Sequence, residues 1–178
     1  WARVFAAVSP VQEKEILTLA SSLMRGRIGP TAFYGGLTEA IASAVGCNRA
    51  SIWRFTSDAR ERIICMDLFD TRTRQHRGGE TLTREAFTPY FNAIQANILL
   101  MATDARHHPA TECFNEAYFQ PNDIFSLLDV GIDALGKGWG LFCCEHAGAV
   151  KAWTDEDAAL LRSVGNLCGM AFARLKTG

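Results

Sequence analysis

Helical stripes and compact apolar runs alternate along this chain, and their order predicts the elements. From Val11, the positions Ile16, Leu17, Leu19, Ala20, Leu23 and Met24 form an apolar stripe at helical spacing that stops at Gly26. Pro30, suited to a first helical turn, opens a second stripe of Phe33, Leu37, Ile41, Ala44 and Val45, closed by Gly46. The runs Ala50 to Thr56 and Arg62 to Phe69 are rich in β-branched and aromatic residues and flank a short polar break, the pattern of an antiparallel hairpin. A polar turn region follows from Asp70 to Gly79, then a short strand from Glu80 to Thr83. Phe87, Tyr90, Phe91 and Ile94 stand at i, i+3, i+4 and i+7, predicting a helix over Thr83 to Ala96. A short strand from Ile98 to Met101, a loop from Asp104 to Pro109, a short helix from Thr111 to Phe119 and a strand from Ile124 to Ile132 come next.

The stretch from Gly136 to Asp157 organises the rest. Glycines bound a run of bulky apolar residues, Trp139 to Cys144, which predicts a strand buried on both faces. It leaves through a small-residue loop to Thr154, an N-cap with Asp157 at capping-box spacing and three acids in the first turn. One helix of about six turns is expected from there, with Leu161, Val164, Cys168, Ala171, Phe172 and Leu175 on one side. Short connections between strands imply an antiparallel sheet with helices on its faces, an α+β domain over 11–176 after a connector at 1–10.

Composition narrows the function classes. The 178 residues suffice for one domain with a real core. A formal charge of −1 and the lack of a basic patch argue against nucleic acid. No apolar stretch approaches the roughly 20 residues of a membrane span, and no signal peptide is visible. The chain begins at Trp1, which reads as a segment of something longer. The six cysteines lie inside apolar patterns without a CxxC pair, as buried free thiols of a cytoplasmic protein do.

Distributed motifs carry a family resemblance. Gly46-Cys47-Asn48-Arg49-Ala50-Ser51-Ile52-Trp53 resembles a "GxxRxSIW" first strand, and Leu68-Phe69-Asp70 through His76 and Gly79 resembles an "LYDxxxxxHxxG" segment. Tyr90-Phe91, Asp104-Ala105-Arg106, Pro109-Ala110-Thr111, Leu128-Asp129-Val130, Gly140-Leu141, Glu145-His146 and Trp153-Thr154 follow in the same order. From Glu13 to Leu175 the chain resembles a GAF domain of the subtype in bacterial sensor histidine kinases and diguanylate cyclases. Two positions depart from that pattern: Gly131 where proline is usual, and Cys144 where histidine is often found. The resemblance implies a PAS-related, six-stranded antiparallel sheet. The first, second and last helices pack on one face, with a small-molecule pocket under short helices and loops on the other. It also implies a regulatory module of a two-component or similar signalling protein. Such a module binds a small molecule or dimerises through its terminal helices, and controls an attached output domain.

Chemistry is sparse. There is no nucleophile elbow, HExxH, P-loop or dinucleotide fingerprint, so no catalytic residue is assigned. Side chains alternate along a strand, so Cys144 and His146 share one face while Cys143 and Glu145 share the other. Two alternatives come from the resemblance. One is a haem or bilin sensor, with Trp139-Gly140-Leu141 and an upstream Cys113 in its favour. The other is a free methionine-R-sulfoxide reductase-like enzyme using pocket cysteines. His107, His108, Glu112 and Cys113 gather in one segment without a recognised metal-ligand spacing. The aromatic group around Tyr90, Phe91, Phe114 and Tyr118 serves as core packing, or lines a pocket with Asp104, Arg106 and Thr111 as polar handles. With Cys144 and His146, these are the pocket candidates; the cofactor is left unassigned.

Overall fold

A computed structural model describes residues 8–95 and 98–176. Two helices come first, α1 (Pro10–Met24) and α2 (Pro30–Val45). Ser9 and Gln12 cap each other at the start of α1, so the helix begins inside the expected connector, whose first seven residues lie outside the described residues. Gly46 ends α2 in the left-handed conformation (φ 69°) that glycine adopts without strain.

The sheet is built from β1 (Arg49–Phe55), β2 (Arg62–Asp70), β3 (Gln75–Arg77), β4 (Thr81–Thr83), β5 (Leu99–Ala102), β6 (Ile124–Ala134) and β7 (Lys137–Ala147). Its order is β3-β2-β1-β7-β6-β5, all antiparallel. β4 shares the outer edge of β2 with β3: β3 pairs Leu68 to Asp70, and β4 pairs Arg62 to Ile64. The seven segments therefore fill six lanes. Segment 139–144 is the interior strand expected, with β1 on one side and β6 on the other.

Trp139 adds a detail that periodicity hid. Ile132 faces Gly140 and Asp133 faces Gly138, so Trp139 is an extra residue in β7. The bulge turns its indole to the helical side, where it packs 4.6 Å from Phe172 and 6.2 Å from Tyr34, measured between ring centroids. Beyond it, Phe142 and Cys144 face the helices, while Leu141 and Cys143 face the opposite side.

Two expectations change. The helix over Thr83 to Ala96 shrinks to α3 (Thr88–Ala93), because β4 takes Thr83 and Pro89 fixes the helix start; Ala96 lies outside the described residues. The long terminal helix divides at Cys168 into α4 (Asp155–Leu167) and α5 (Gly169–Lys176). Gly165 and Gly169 flank the break, and their low helix propensity lets the backbone depart there. The Thr154–Asp157 capping box opens α4 as expected. Ile16, Phe33, Leu37, Ile41, Leu161, Val164 and Phe172 bury α1, α2, α4 and α5 against one face of the sheet. The other face carries a smaller core under α3 and the 3-10 and π turns at Glu112–Phe114 and Asn115–Phe119. Among the described residues, no helix is long and apolar enough to cross a membrane.

Candidate functional site

On the face away from the four helices, a cavity of about 330 Å3 separates the sheet from α3 and the segment 112–122. Six aromatic residues form its walls: Trp53 from β1, Phe87 and Tyr90 at α3, and Phe114, Tyr118 and Phe119 from the short turns. Phe114 is the hub, with ring centroids 4.7 Å from Phe87, 5.0 Å from Tyr90 and 5.7 Å from Phe119. Larger hollows of about 410 Å3 along α1 and about 620 Å3 beside 83–88 are open and have no aromatic walls. Enclosure and apolar walls with a few polar groups mark the smaller cavity as the binding candidate.

Strand register places polar side chains on its floor. One cross-strand row runs Arg77, Leu68, Ser51, Cys143, Asp129 through β3, β2, β1, β7 and β6. The next runs Asp70, Arg49, Glu145, Leu127. Arg49 ties the second row to the cover. It donates to Asp70 Oδ2 at 2.9 Å, to Asn122 Oδ1 at 2.9 Å and to the Tyr118 hydroxyl at 3.2 Å. Tyr118 in turn donates to Glu145 Oε2 at 2.8 Å, and Tyr90 donates to Asp129 Oδ2 at 2.6 Å. Both tyrosines thus reach down from the cover to a buried acid.

Burial dominates the electrostatics. It pushes Glu145 up to about 7 even though Arg49 and the Tyr118 hydrogen bond pull the other way. It raises Asp129 to about 6 against the hydrogen bonds from Tyr90 and Cys143. The Cys143 thiol rises well above its ordinary value through burial and the negative charge of Asp129 and Glu145. Asp70, by contrast, falls below the carboxylate range: burial opposes this, but hydrogen bonds from Arg72 and Arg49 prevail.

Of the residues singled out from sequence, Tyr90, Phe114 and Tyr118 line this cavity. Phe91 packs fully buried beneath α3 and does not reach it. The three polar handles also lie elsewhere. Asp104 meets His107, Arg106 bonds the Ile124 carbonyl and covers the Phe125 ring, and Thr111 is buried donating to the Ala105 carbonyl. Cys144 is a correction: it packs in the helix-side core, and His146, on its face of the strand, is likewise absent from the cavity walls. The inward pair is Cys143 and Glu145. Alternation had already separated the two pairs, but which pair faces inward depends on what covers each face of the sheet. Glu145 and Asp129 carry a sequence signal of their own, an acid embedded in an apolar run. Among the described residues, no three His, Cys, Asp or Glu side chains gather as a metal site, and Cys113 is exposed.

The family model described as "GAF domain" matches residues 31–172. The phycocyanobilin-bound GAF domain of a cyanobacterial phytochrome is similar in structure, with TM-score 0.70 and 14% identity, covering 91% of this chain and 94% of its own. So is the GAF domain of an Acinetobacter phosphoenolpyruvate-protein phosphotransferase, with TM-score 0.67 and 12% identity, covering 95% and 97%. The phycoerythrobilin-bound GAF domain of a cyanobacterial phytochrome gives TM-score 0.68 at 16% identity, covering 93% and 98%. At these identities the likeness is one of fold. No curated protein matches the chain.

Proposed function

The chain belongs to the GAF domain family, and on that premise we propose that it is the sensory module of a bacterial signalling protein of sensor-kinase or diguanylate-cyclase type. A small molecule enters the cavity between the sheet and α3, and its presence biases an attached output domain through the terminal helices. The observation that carries this reading is the half-enclosed cavity with six aromatic walls and a buried carboxylate, placed opposite the helices. β7 links the two faces: Cys143 and Glu145 touch the cavity, Phe142 touches Phe172 of α5, and the strand leads by a short loop into α4. Signalling then requires only that ligand bind two helix arrangements with different affinity.

The module performs no chemistry of its own in this reading. Support comes from Cys143, whose raised pKa keeps it a protonated thiol and a poor nucleophile. Val11, Leu17 and Met170 stand exposed on α1 and α5, which favours pairing of two chains through those helices. The five buried free thiols fit a reducing cytoplasm.

The test is thermal melting with a panel of small metabolites that includes haem and a bilin, run on wild type and on Ala117→Trp. Ala117 is an exposed residue on the cavity rim, so the indole obstructs the opening without disturbing the core. At a hundredfold excess over Kd a true ligand stabilises by about 2.7 kcal/mol, a rise of roughly 5–10 °C, in wild type alone. No stabilising compound, or equal rises in both proteins, would overturn the proposal.

A further inference from the structure

Apart from Arg77 in the exposed part of the wall, the side-chain N–H and O–H donors around the cavity are already engaged. The Tyr118 hydroxyl is held by Glu145, the Tyr90 hydroxyl by Asp129, and the Trp53 indole N–H by Ser51 Oγ at 2.9 Å. Arg49 is committed to Asp70, Asn122 and Tyr118. What remains unmatched is acceptor capacity. Among the described residues Glu145 is engaged only through Oε2, by Tyr118 and more distantly by Arg49. Glu145 also has no cation within hydrogen-bond distance among the described residues. Its nearest cation, Arg49, lies 3.8 Å away and is bonded at 2.9 Å to Asp70, which Arg72 holds as well. Arg77 lines the cavity as an exposed residue whose charge also acts on Glu145, and exposed Glu80 lines it too.

Taken with the walls, this inventory has a chemical meaning. Aromatic faces attract cations, and a carboxylate at the end of an aromatic box meets N–H donors. An anion would face the Glu145 carboxylate, and an apolar occupant would leave it unmatched. Resting on the reading of this cavity as a small-molecule site, the geometry points to a compact organic ammonium or amidinium ion, carried on an aromatic body, with its N–H groups on Glu145.

Binding is then linked to protons, because the cation favours ionised Glu145. The charged and titratable groups around that carboxylate are Arg49 of β1, Cys65 and Asp70 of β2, Arg72 just after it, Arg77 of β3, Tyr90 and Tyr118 of the cover, Asp129 of β6 and Cys143 of β7. Arg49 and Arg72 stay charged, Asp70 stays ionised, and Cys65, Tyr90, Tyr118 and Cys143 stay protonated near neutrality. Asp129, raised to about 6, acts in the same direction as Glu145 but completes most of its change lower. With Glu145 at about 7, roughly a tenth of it is ionised at pH 6 and nine-tenths at pH 8. Affinity for the cation should therefore rise about tenfold between those pH values.

The test is calorimetric titration with three probes of one shape: 2-phenylethylamine, 2-phenylethanol and phenylacetate. The amine stays protonated over this range, as lysine does. The expected result at pH 8 is amine binding at least tenfold tighter than either other probe, falling about tenfold at pH 6. Glu145→Gln should abolish the preference and most of the pH dependence while the protein still binds 2-phenylethanol, which shows the cavity intact. Equal or tighter binding of phenylacetate or 2-phenylethanol would overturn the cation assignment and leave the small-molecule reading standing. Binding by none of the three would overturn it too, and the metabolite panel with Ala117→Trp then judges the broader reading separately. A Glu145→Gln protein that keeps its preference for the amine would also refute it.

Discussion

Replacing Gly140 with alanine sets a methyl group against backbone at the centre of the sheet. An ideal Cβ there lies 1.9 Å from the Trp53 carbonyl oxygen and 3.0 Å from Arg54 Cα, the first about 1.5 Å inside ordinary contact. The obstacle is β1 itself, which pairs Arg54 with Gly140, so the clash is relieved only by parting β1 from β7. Overpacking costs about 1–3 kcal/mol where side chains can yield, and here none can. We expect about 3 kcal/mol or more, a fall in Tm of roughly 6–12 °C for a domain of this size. Gly138 is the control. Its Cβ would lie 2.0 Å from Arg60 Nη2, an equally short distance, but that atom ends a flexible side chain on the surface. Gly138→Ala loses the hydrogen bond from Arg60 to the Gln95 carbonyl and the guanidinium's place over the Phe55 ring, and gains about 0.5–1 kcal/mol from a stiffer unfolded chain, so it should stay within about 1 kcal/mol of wild type. Urea and thermal unfolding followed by tryptophan fluorescence measure both. Equal destabilisation by the two variants, or a Gly140→Ala protein within 2 °C of wild type by an approximate two-state fit, would refute the placement of β7 between β1 and β6.

Removing the Thr154 hydroxyl in Thr154→Ala breaks the capping box of α4 and should cost about 1 kcal/mol, read as a Tm lower by roughly 2–4 °C. In native protein one thiol, Cys113, should react rapidly with a thiol reagent, and the other five only on unfolding; two fast thiols would contradict the burial of the rest. Burial alone lowers the His76 pKa, but hydrogen bonds to Asp67 (2.9 Å) and Glu39 (3.0 Å) raise it overall. That stabilisation is complete below the ordinary histidine value of about 6.5 and is lost as pH rises through the folded one. The advantage of wild type over His76→Gln should therefore shrink between pH 6 and pH 9, and an advantage that grows would refute the bridge from α2 to the sheet.

Features set by local chemistry were readable from the chain. Thr154 with Asp157, Pro30 with Gly46, and the hairpin of β1 and β2 are each fixed by neighbours in sequence, and each stands where expected. Misreadings arose where distant contacts decide. The short strand expected over Glu80 to Thr83 stands as β4, but the helical period of Phe87, Tyr90, Phe91 and Ile94 extends the expected helix back to Thr83, whereas Pro89 sets the start of α3. The division at Cys168 rests on two glycines that a stripe of apolar positions overrode. In the site, Tyr90, Phe114 and Tyr118 were legible because large aromatics at helical spacing must face something apolar. Glu145 and Asp129 were not, since alternation is symmetric and only the helices covering Phe142 and Cys144 decide which face is left for the cavity. The bulge at Trp139 breaks even that alternation one turn before it matters.

Three tryptophans in the described structure divide between the two sides of the sheet. Trp53 lines the cavity, while Trp139 and Trp153 belong to the core beneath the helices. Indole N–H signals in a 1H–15N spectrum, assigned with Trp53→Phe and followed during titration with 2-phenylethylamine, report which side a ligand enters. Occupation of the cavity predicts progressive displacement of the Trp53 signal with those of Trp139 and Trp153 comparatively still. Movement of the latter pair with Trp53 unchanged would contradict a ligand site on this face of the sheet.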